Sequence, residues 1–348
     1  MILSVMKALV LTKYNNFEIK EAQKPQIKEN EVLVRIKVVG ICGSDVHGTD
    51  GSTGRRQPPV IMGHEAAGVI EEVGSAVKNW NNGDRVTFDS TIYRLDDWYS
   101  RKGLYNLSNN RMVIGVSCNE FKRDGAFAEY IAVPAHILYK LPDNVSFEYA
   151  AMVEPIAVSL HSVNLTSISI NDTALVGGTG IISLFIIQLL KLAGCGKIIT
   201  FDLDQSKLDL ALRLGATHAL KGDMINVAEE VKKQTGNRGA DIGFEVVGIT
   251  SVLRSVIEGV RKGGNITLVG NISPVVELPL QLVVSKQLKV QGSCAICGEY
   301  EPVLNLISQG RIQIDPMISA VAPLEEGPEW FNRLYNREPG LMKVLLKP

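Results

Sequence analysis

Two hydrophobic rhythms divide the chain. Up to about residue 150, apolar residues come in short alternating or β-branched runs at 7–11, 17–20, 32–39, 69–73 and 85–88. Polar breakers and turns at Gly74 and Asn82-Gly83-Asp84 separate them. Alternation between turn residues predicts strands, hence a strand-rich, barrel-like unit, with a return to strand pattern at 125–133. From Thr173 the rhythm becomes strand, glycine turn, helix. Buried strands are predicted at 174–177, 197–201, 241–246, 266–269 and 288–291, with amphipathic helices at 208–214 and 227–233. That alternation implies a parallel sheet with helices on its faces. Helices at 301–310 and 328–335 and a closing strand at 342–346 follow, the strand expected to rejoin the N-terminal unit. The reading is therefore α/β, with residues 1–155 and 294–348 forming one domain around an inserted cofactor domain of residues 156–293.

Length and composition agree with this and exclude several functions. A chain of 348 residues suits two domains, each with its own core. A net charge of −1 gives no electrostatic footprint for nucleic acid or an acidic membrane. The apolar stretch 181–190 is too short to span a bilayer and reads as a buried helix. No signal peptide is legible, and five irregularly spaced cysteines argue for a reducing compartment rather than a disulfide framework, so a cytoplasmic location is expected.

The chemistry concentrates in Gly40-Ile41-Cys42-Gly43-Ser44-Asp45-Val46-His47 and in Met62-Gly63-His64-Glu65. A thiol, an imidazole and a carboxylate (Cys42, His64, Glu65) can converge on one zinc ion that keeps an open position. Ser44 and His47 offer a hydroxyl and a second imidazole, a group that titrates near neutrality, for moving a proton. Arg55 and Arg56 read as a solvated loop, with an anion or substrate contact as the alternative. In the second half, Gly178-Thr179-Gly180-Ile181-Ile182-Ser183 follows a strand and opens a helix, as in the dinucleotide fingerprint G-x-G-x-x-G with Ser183 in place of the third glycine. Asp202 ends the next strand, 24 residues after Gly178, placed to accept hydrogen bonds from a ribose and to repel a 2′-phosphate, so NAD is expected over NADP. An N-cap role would leave that preference unset. Cys294-x-x-Cys297 lacks a second pair and reads as packing rather than redox or metal chemistry.

The two motifs together resemble the zinc-containing medium-chain dehydrogenase family, nearest its sorbitol, polyol and threonine dehydrogenase branch, over nearly the whole chain. The resemblance implies a GroES-like catalytic domain and a doubly wound Rossmann domain. It implies one catalytic zinc on Cys42, His64 and Glu65, with Glu154 as a further ligand, direct or through water. It also implies a proton path through Ser44 and His47, and cofactor contacts at Gly178, Gly180, Ile182, Asp202, Lys207, Val269, Gly270, Asn271, Ser293 and Cys294. A homodimer or homotetramer joined through the last cofactor strands follows from the same likeness.

Where relatives hold a structural zinc on four cysteines, this chain has Arg94, Asp97, Ser100 and Ser108, so no structural zinc is expected. The lobe would rest instead on its aromatic residues, each worth about 1.5–3 kcal/mol if buried, and on small surface ion pairs. Sorbitol-type members carry Tyr after the relay histidine and an Arg-Tyr pair after the last cofactor strand; Gly48 and Ala295-Ile296 stand here. These departures argue against sorbitol itself, and the expected substrate is a secondary alcohol on a polyol, sugar acid, cyclitol or sugar phosphate. The competing readings are a zinc-free NADPH quinone or enoyl reductase and a non-catalytic nucleotide-binding protein.

Overall fold

The computed structural model describes residues 4–117 and 123–348, so Cys118, read from the sequence as a single packed thiol, lies outside the described residues. The chain divides into two compact units, one of Met1–Glu154 with Ile296–Pro348 and one of Pro155–Ala295.

In the first unit a sheet runs in the order Leu138–Lys140, Arg85–Phe88, Glu65–Val73, Glu31–Gly40, Lys343–Lys347, Ile318–Pro323, with Tyr130–Pro134 also paired to Glu31–Gly40. A second sheet joins Asn16–Gln23, Val5–Lys13 and Val60–Ile61. Glu31–Gly40 has neighbours along both edges and on both faces, which is why its apolar run is almost unbroken. The core between the sheets includes Leu9, Leu11, Val34, Ile36, Ile70, Phe88 and Phe127. The closing strand Lys343–Lys347 pairs antiparallel with Glu31–Gly40, bringing the chain's two ends into one sheet.

The second unit holds a six-stranded parallel sheet. Numbered in chain order within that sheet, its strands lie 3-2-1-4-5-6, the doubly wound arrangement. The helix Ile181–Leu192 is apolar almost all round and buried from Ser183 to Leu190. Helix Gln205–Leu214 is more polar; Asp204 caps its start and Gly215, at φ +123°, ends it.

The pattern missed some elements and misplaced others. His218–Lys221 and Ile318–Pro323 are short edge strands, half exposed, with too little buried area to leave an apolar run. Val260–Leu268 begins earlier than 266 because Arg261, Lys262, Gly263 and Gly264 interrupt the apolar signal within a strand that tertiary pairing enforces. Thr250–Gly259 is a helix whose buried Leu253, Val256 and Ile257 carry the helical spacing. A helix that the sequence predicts from Met152 through His161 is the helix Val153–Leu165; a separate short helix, Phe147–Ala151, capped by Ser146, precedes it.

The lobe after Asp89 is tied down locally. Tyr93 stacks on Tyr105 at 4.3 Å between ring centroids. The Tyr105 hydroxyl donates to Asp89 (3.1 Å) and accepts from the Gly298 amide (2.7 Å), while the Cys297 thiol donates to the Gly103 carbonyl. Asp97 caps the short helix Trp98–Arg101 and accepts from the Asn109 side chain. Trp98 meets Tyr99 edge-on at 5.0 Å between ring centroids but is 63% exposed, which corrects the expectation that it supplies buried area.

Candidate metal centre and nucleotide-binding turn

Strand register builds the metal centre. Glu31–Gly40 and Glu65–Val73 run antiparallel with Gly40 opposite Glu65, so Cys42, just beyond one strand end, meets His64, just before the other. Gly40 is required there, since a Cβ on it would lie 2.5 Å from Glu65 Oε2. The Cys42 sulfur, a His64 ring nitrogen and a Glu65 carboxylate oxygen all fall within 4.8 Å of one another. Cys42 also caps the helix Gly43–Gly48, accepting from the Ser44 amide at 3.5 Å and the Ser44 hydroxyl at 3.3 Å. On that helix Ser44 and His47 are three residues apart, so they share a face, and both are exposed.

Glu154 stands outside the three-residue cluster but is coupled to it. Its Oε1 accepts from the Ser90 hydroxyl at 3.3 Å. Burial pushes its carboxyl up to about 8, His64 opposing this and Glu65 and Cys42 adding to it. Burial, then the Glu65 charge, pushes the Cys42 thiol up to about 12. The protein alone thus disfavours the anionic forms in which these groups bind metals. A divalent cation supplies the missing positive charge, and the S, N, O donor set fits zinc.

Two buried cations that the sequence reading did not anticipate serve this centre. Lys343 donates to Glu65 Oε2 at 2.5 Å and to the Ile41 carbonyl, with both side chains buried. Burial lowers its pKa, but Glu65 and Cys42 outweigh this and leave it above the usual lysine value. The signal available was a lysine opening the apolar run Val344-Leu345-Leu346 of the closing strand. Arg56, read as solvated, is 2% exposed and pairs with Asp45, itself 0% exposed, at 2.7 Å. Arg55 beside it is exposed, as expected.

In the second unit the residues singled out for a dinucleotide follow the carboxyl ends of the parallel strands. Gly178 turns at φ +94°, and a Cβ there would lie 2.7 Å from Val247 Cγ2. Gly180 begins the helix Ile181–Leu192 with no side-chain cap, and Ile182 sits in its first turn, so amides there are open to an anion. Ser183 is buried where the fingerprint has its third glycine. Asp202 accepts from the amides of Thr179, Leu203 and Asp204, while Asp204, not Asp202, caps the following helix. Lys207 lies in that helix, 3.9 Å from Asp204. The amides of Val269 and Gly270 both donate to the Glu245 carbonyl. A Cβ on Gly270 would collide with the Gly248 amide at 2.1 Å, which packs the loop of Val269, Gly270 and Asn271 onto its neighbour. The Ser293 amide donates to the Leu268 carbonyl, and Cys294 follows, half-buried.

Comparison with known proteins matches the alcohol dehydrogenase GroES-like domain over residues 28–143 and the zinc-binding dehydrogenase domain over residues 182–309. D-xylulose reductase of Morganella morganii is 34% identical over 94% of this chain and 97% of its own length. Sorbitol dehydrogenase of Homo sapiens is 31% identical over 93% and 90%. A zinc-binding dehydrogenase-like protein of Sinorhizobium meliloti 1021, solved bound to NADP, superposes with a TM-score of 0.90 at 30% identity, over 99% of this chain and 100% of that one. The chain belongs to the zinc-type medium-chain dehydrogenases, in their polyol branch, and is an oxidoreductase with a GroES-like and a Rossmann-type domain. Among the described residues no helix is long and apolar enough to cross a membrane.

Proposed function

We propose that the protein oxidises a secondary alcohol of a polyol, sugar acid, cyclitol or sugar phosphate with NAD, using one zinc ion per chain held by Cys42, His64 and Glu65. The observation that carries this is the convergence of those three ligand atoms within 4.8 Å. When bound, zinc would supply Lewis acidity toward an alcohol oxygen and a nicotinamide would supply a hydride acceptor. The chain's own residues do the rest. Lys343 holds Glu65 in place through its Oε2. Glu154 adds a second carboxylate, directly or through water. The substrate proton would pass to the Ser44 hydroxyl as Ser44 gives its own to a cofactor ribose hydroxyl, and from there to His47, exposed on the same helix face, and to solvent.

In this reading residues 1–155 with 294–348 are the catalytic domain and residues 156–293 bind the nucleotide. Asp202 supports NAD, since a carboxylate at this strand end favours ribose hydroxyls and repels a 2′-phosphate. Gly178 and Gly180 let the pyrophosphate approach the helix start. Ile182, Lys207, Val269, Gly270, Asn271, Ser293 and Cys294 line the rest of the cofactor's course. A homodimer or homotetramer is proposed through the edge strand Lys289–Gly292, near which Val275, Leu280 and Val284 are 83%, 63% and 71% exposed.

The test is a screen of polyols, aldonates, inositols, sugar phosphates and threonine followed by reduced-nicotinamide absorbance, with metal analysis of the same sample. Zinc near one per chain, and turnover lost on chelation and regained with zinc, are expected. Full turnover from metal-free protein sinks the proposal.

A further inference from the structure

Glu245 is an acid buried where the parallel sheet meets its ligand crevice. It ends the strand Ala240–Glu245, which pairs with Thr173–Gly177, and the strand order of the sheet reverses between these two. A dinucleotide lies across such a reversal, one mononucleotide over each half of the sheet. The turn at Gly178 follows one of the two strands and the turn Val246-Val247-Gly248 follows the other. Glu245 itself is 2% exposed, so its side chain is folded back under its own turn.

Its two oxygens take the amides of that turn. Oε1 accepts from Val247 at 3.0 Å and from Gly248 at 2.7 Å, and Oε2 accepts from Gly248 at 3.0 Å. Burial raises its pKa, and the amides of Gly248 and Val247 pull it back. Successive amides in a turn are a ready site for a phosphate. Here the protein has filled them with an acid of its own.

The turn held in this way is wedged between its neighbours. Val247 Cγ2 lies 2.7 Å from where a Cβ on Gly178 would stand. On the other side the Gly248 amide nitrogen lies 2.1 Å from where a Cβ on Gly270 would stand, and a Cβ on Gly248 itself, at φ +86°, would lie 2.6 Å from the Asn271 amide nitrogen. The main chain of Glu245 adds to this, its carbonyl accepting from the amides of Val269 at 2.8 Å and Gly270 at 3.0 Å. One residue therefore fixes two adjacent loops, one through its side chain and one through its backbone.

We infer that Glu245 is a positioning residue of the cofactor site: through the amides of Val247 and Gly248 it holds the surface on which the nicotinamide end rests, and it leaves the diphosphate to the turn at Gly178 and Gly180. This rests on the cofactor reading above. It gives the two sides of the crevice different chemistry, uncapped amides where the helix Ile181–Leu192 begins and occupied amides at Val247 and Gly248.

The experiment is calorimetric titration of the zinc-loaded protein with NADH and, separately, with ADP-ribose, which has the same adenosine and diphosphate but no nicotinamide. Wild type, Glu245→Leu, Glu245→Gln and Gly270→Ala are compared, with the fluorescence of bound NADH and Tm recorded for each. Glu245→Leu fills the space but leaves both amides without an acceptor. NADH should bind about 10-fold more weakly to it, with altered fluorescence, and ADP-ribose within about 2-fold of wild type, the scale of one or two lost hydrogen bonds. Glu245→Gln keeps an oxygen for both amides and should recover most of the NADH affinity. Gly270→Ala leaves the acid in place and pushes the Gly248 amide away from it, so it should show the same selective loss; it decides the matter if Glu245→Leu unfolds too early to titrate. Parallel weakening of both ligands, no recovery in Glu245→Gln, or an unchanged ratio of the two affinities in Gly270→Ala overturns the inference. Wild-type protein that binds neither NADH nor ADP-ribose overturns the cofactor reading instead.

Discussion

Lys343→Met tests whether the metal centre is built for a cation. Lys343 and Glu65 are 2% and 1% exposed, and they are joined at 2.5 Å. Methionine keeps the length of the stem and removes the charge. Glu65 is then left buried beside the Cys42 thiol and Glu154 with no positive partner. Breaking a buried pair in this way costs about 3–5 kcal/mol. In a unit of about 200 residues that corresponds to a fall in Tm of about 10 °C for the metal-free protein. With zinc in saturating amount, the ion lies against Glu65 and compensates the same charge, so the fall should be at most half as large. The thermodynamic cycle then requires the variant to hold zinc more tightly, by 1.4 kcal/mol for every tenfold in Kd. Differential scanning calorimetry with and without zinc, together with chelator competition, measures both arms. Equal Tm losses with and without zinc would show that Lys343 stabilises the sheet independently of the metal, and the reasoning would be wrong.

Asp89 supplies a pH-dependence with a definite sign. Burial raises its carboxyl to about 7, above an unfolded value near 3.9, so the folded state binds the proton more tightly than the unfolded one. Its contribution to stability is therefore present at acid pH and is lost as pH rises from about 4 through 7, an effect of about 4 kcal/mol at most. Asp89→Asn, which stays neutral and can still accept from Tyr105, should flatten the Tm profile between pH 5 and pH 8 and raise Tm at the alkaline end; an unchanged slope refutes this. Asp202→Ala removes a charged hydrogen-bond acceptor, so kcat/KM with NAD should fall about 10–100-fold while that with NADP holds or rises; a parallel loss with both cofactors would mean the residue only shapes the turn. Gly178→Ala forces a Cβ to 2.7 Å from Val247 at φ +94°, and NAD binding by calorimetry should weaken by at least tenfold with the sheet's circular dichroism retained. His47→Ala should slow turnover most at low pH, where solvent hydroxide cannot substitute for the relay, and an effect independent of pH would remove it from the proton path.

The one-dimensional pattern was sufficient to single out Cys42, Ser44 and His47 and the glycine turn as candidates, because each group lies in one local motif. Cys42, Ser44 and His47 lie within one strand end and one short helix, and Gly178, Gly180 and Asp202 lie in consecutive strand-turn-helix units whose periodicity is visible in the residues themselves. The buried strand Thr173–Gly177 and the helix Ile181–Leu192 were legible for the same reason: extensive burial leaves a nearly continuous apolar run. Edge strands such as His218–Lys221 were not, since they bury too little to leave one.

What only the tertiary structure decided is how charge is disposed around those ligands. Arg56 and Arg55 are adjacent and chemically alike, yet one is buried against Asp45 and the other faces solvent. Lys343 reaches Glu65 from 278 residues away because the last strand closes on the third. A cation's burial depends on which distant carboxylate the fold brings to it, and long-range electrostatics leaves no periodic trace in the order of the residues. The candidate ligands are legible along the chain; the pairing of Lys343 with Glu65 exists only once the sheet has closed.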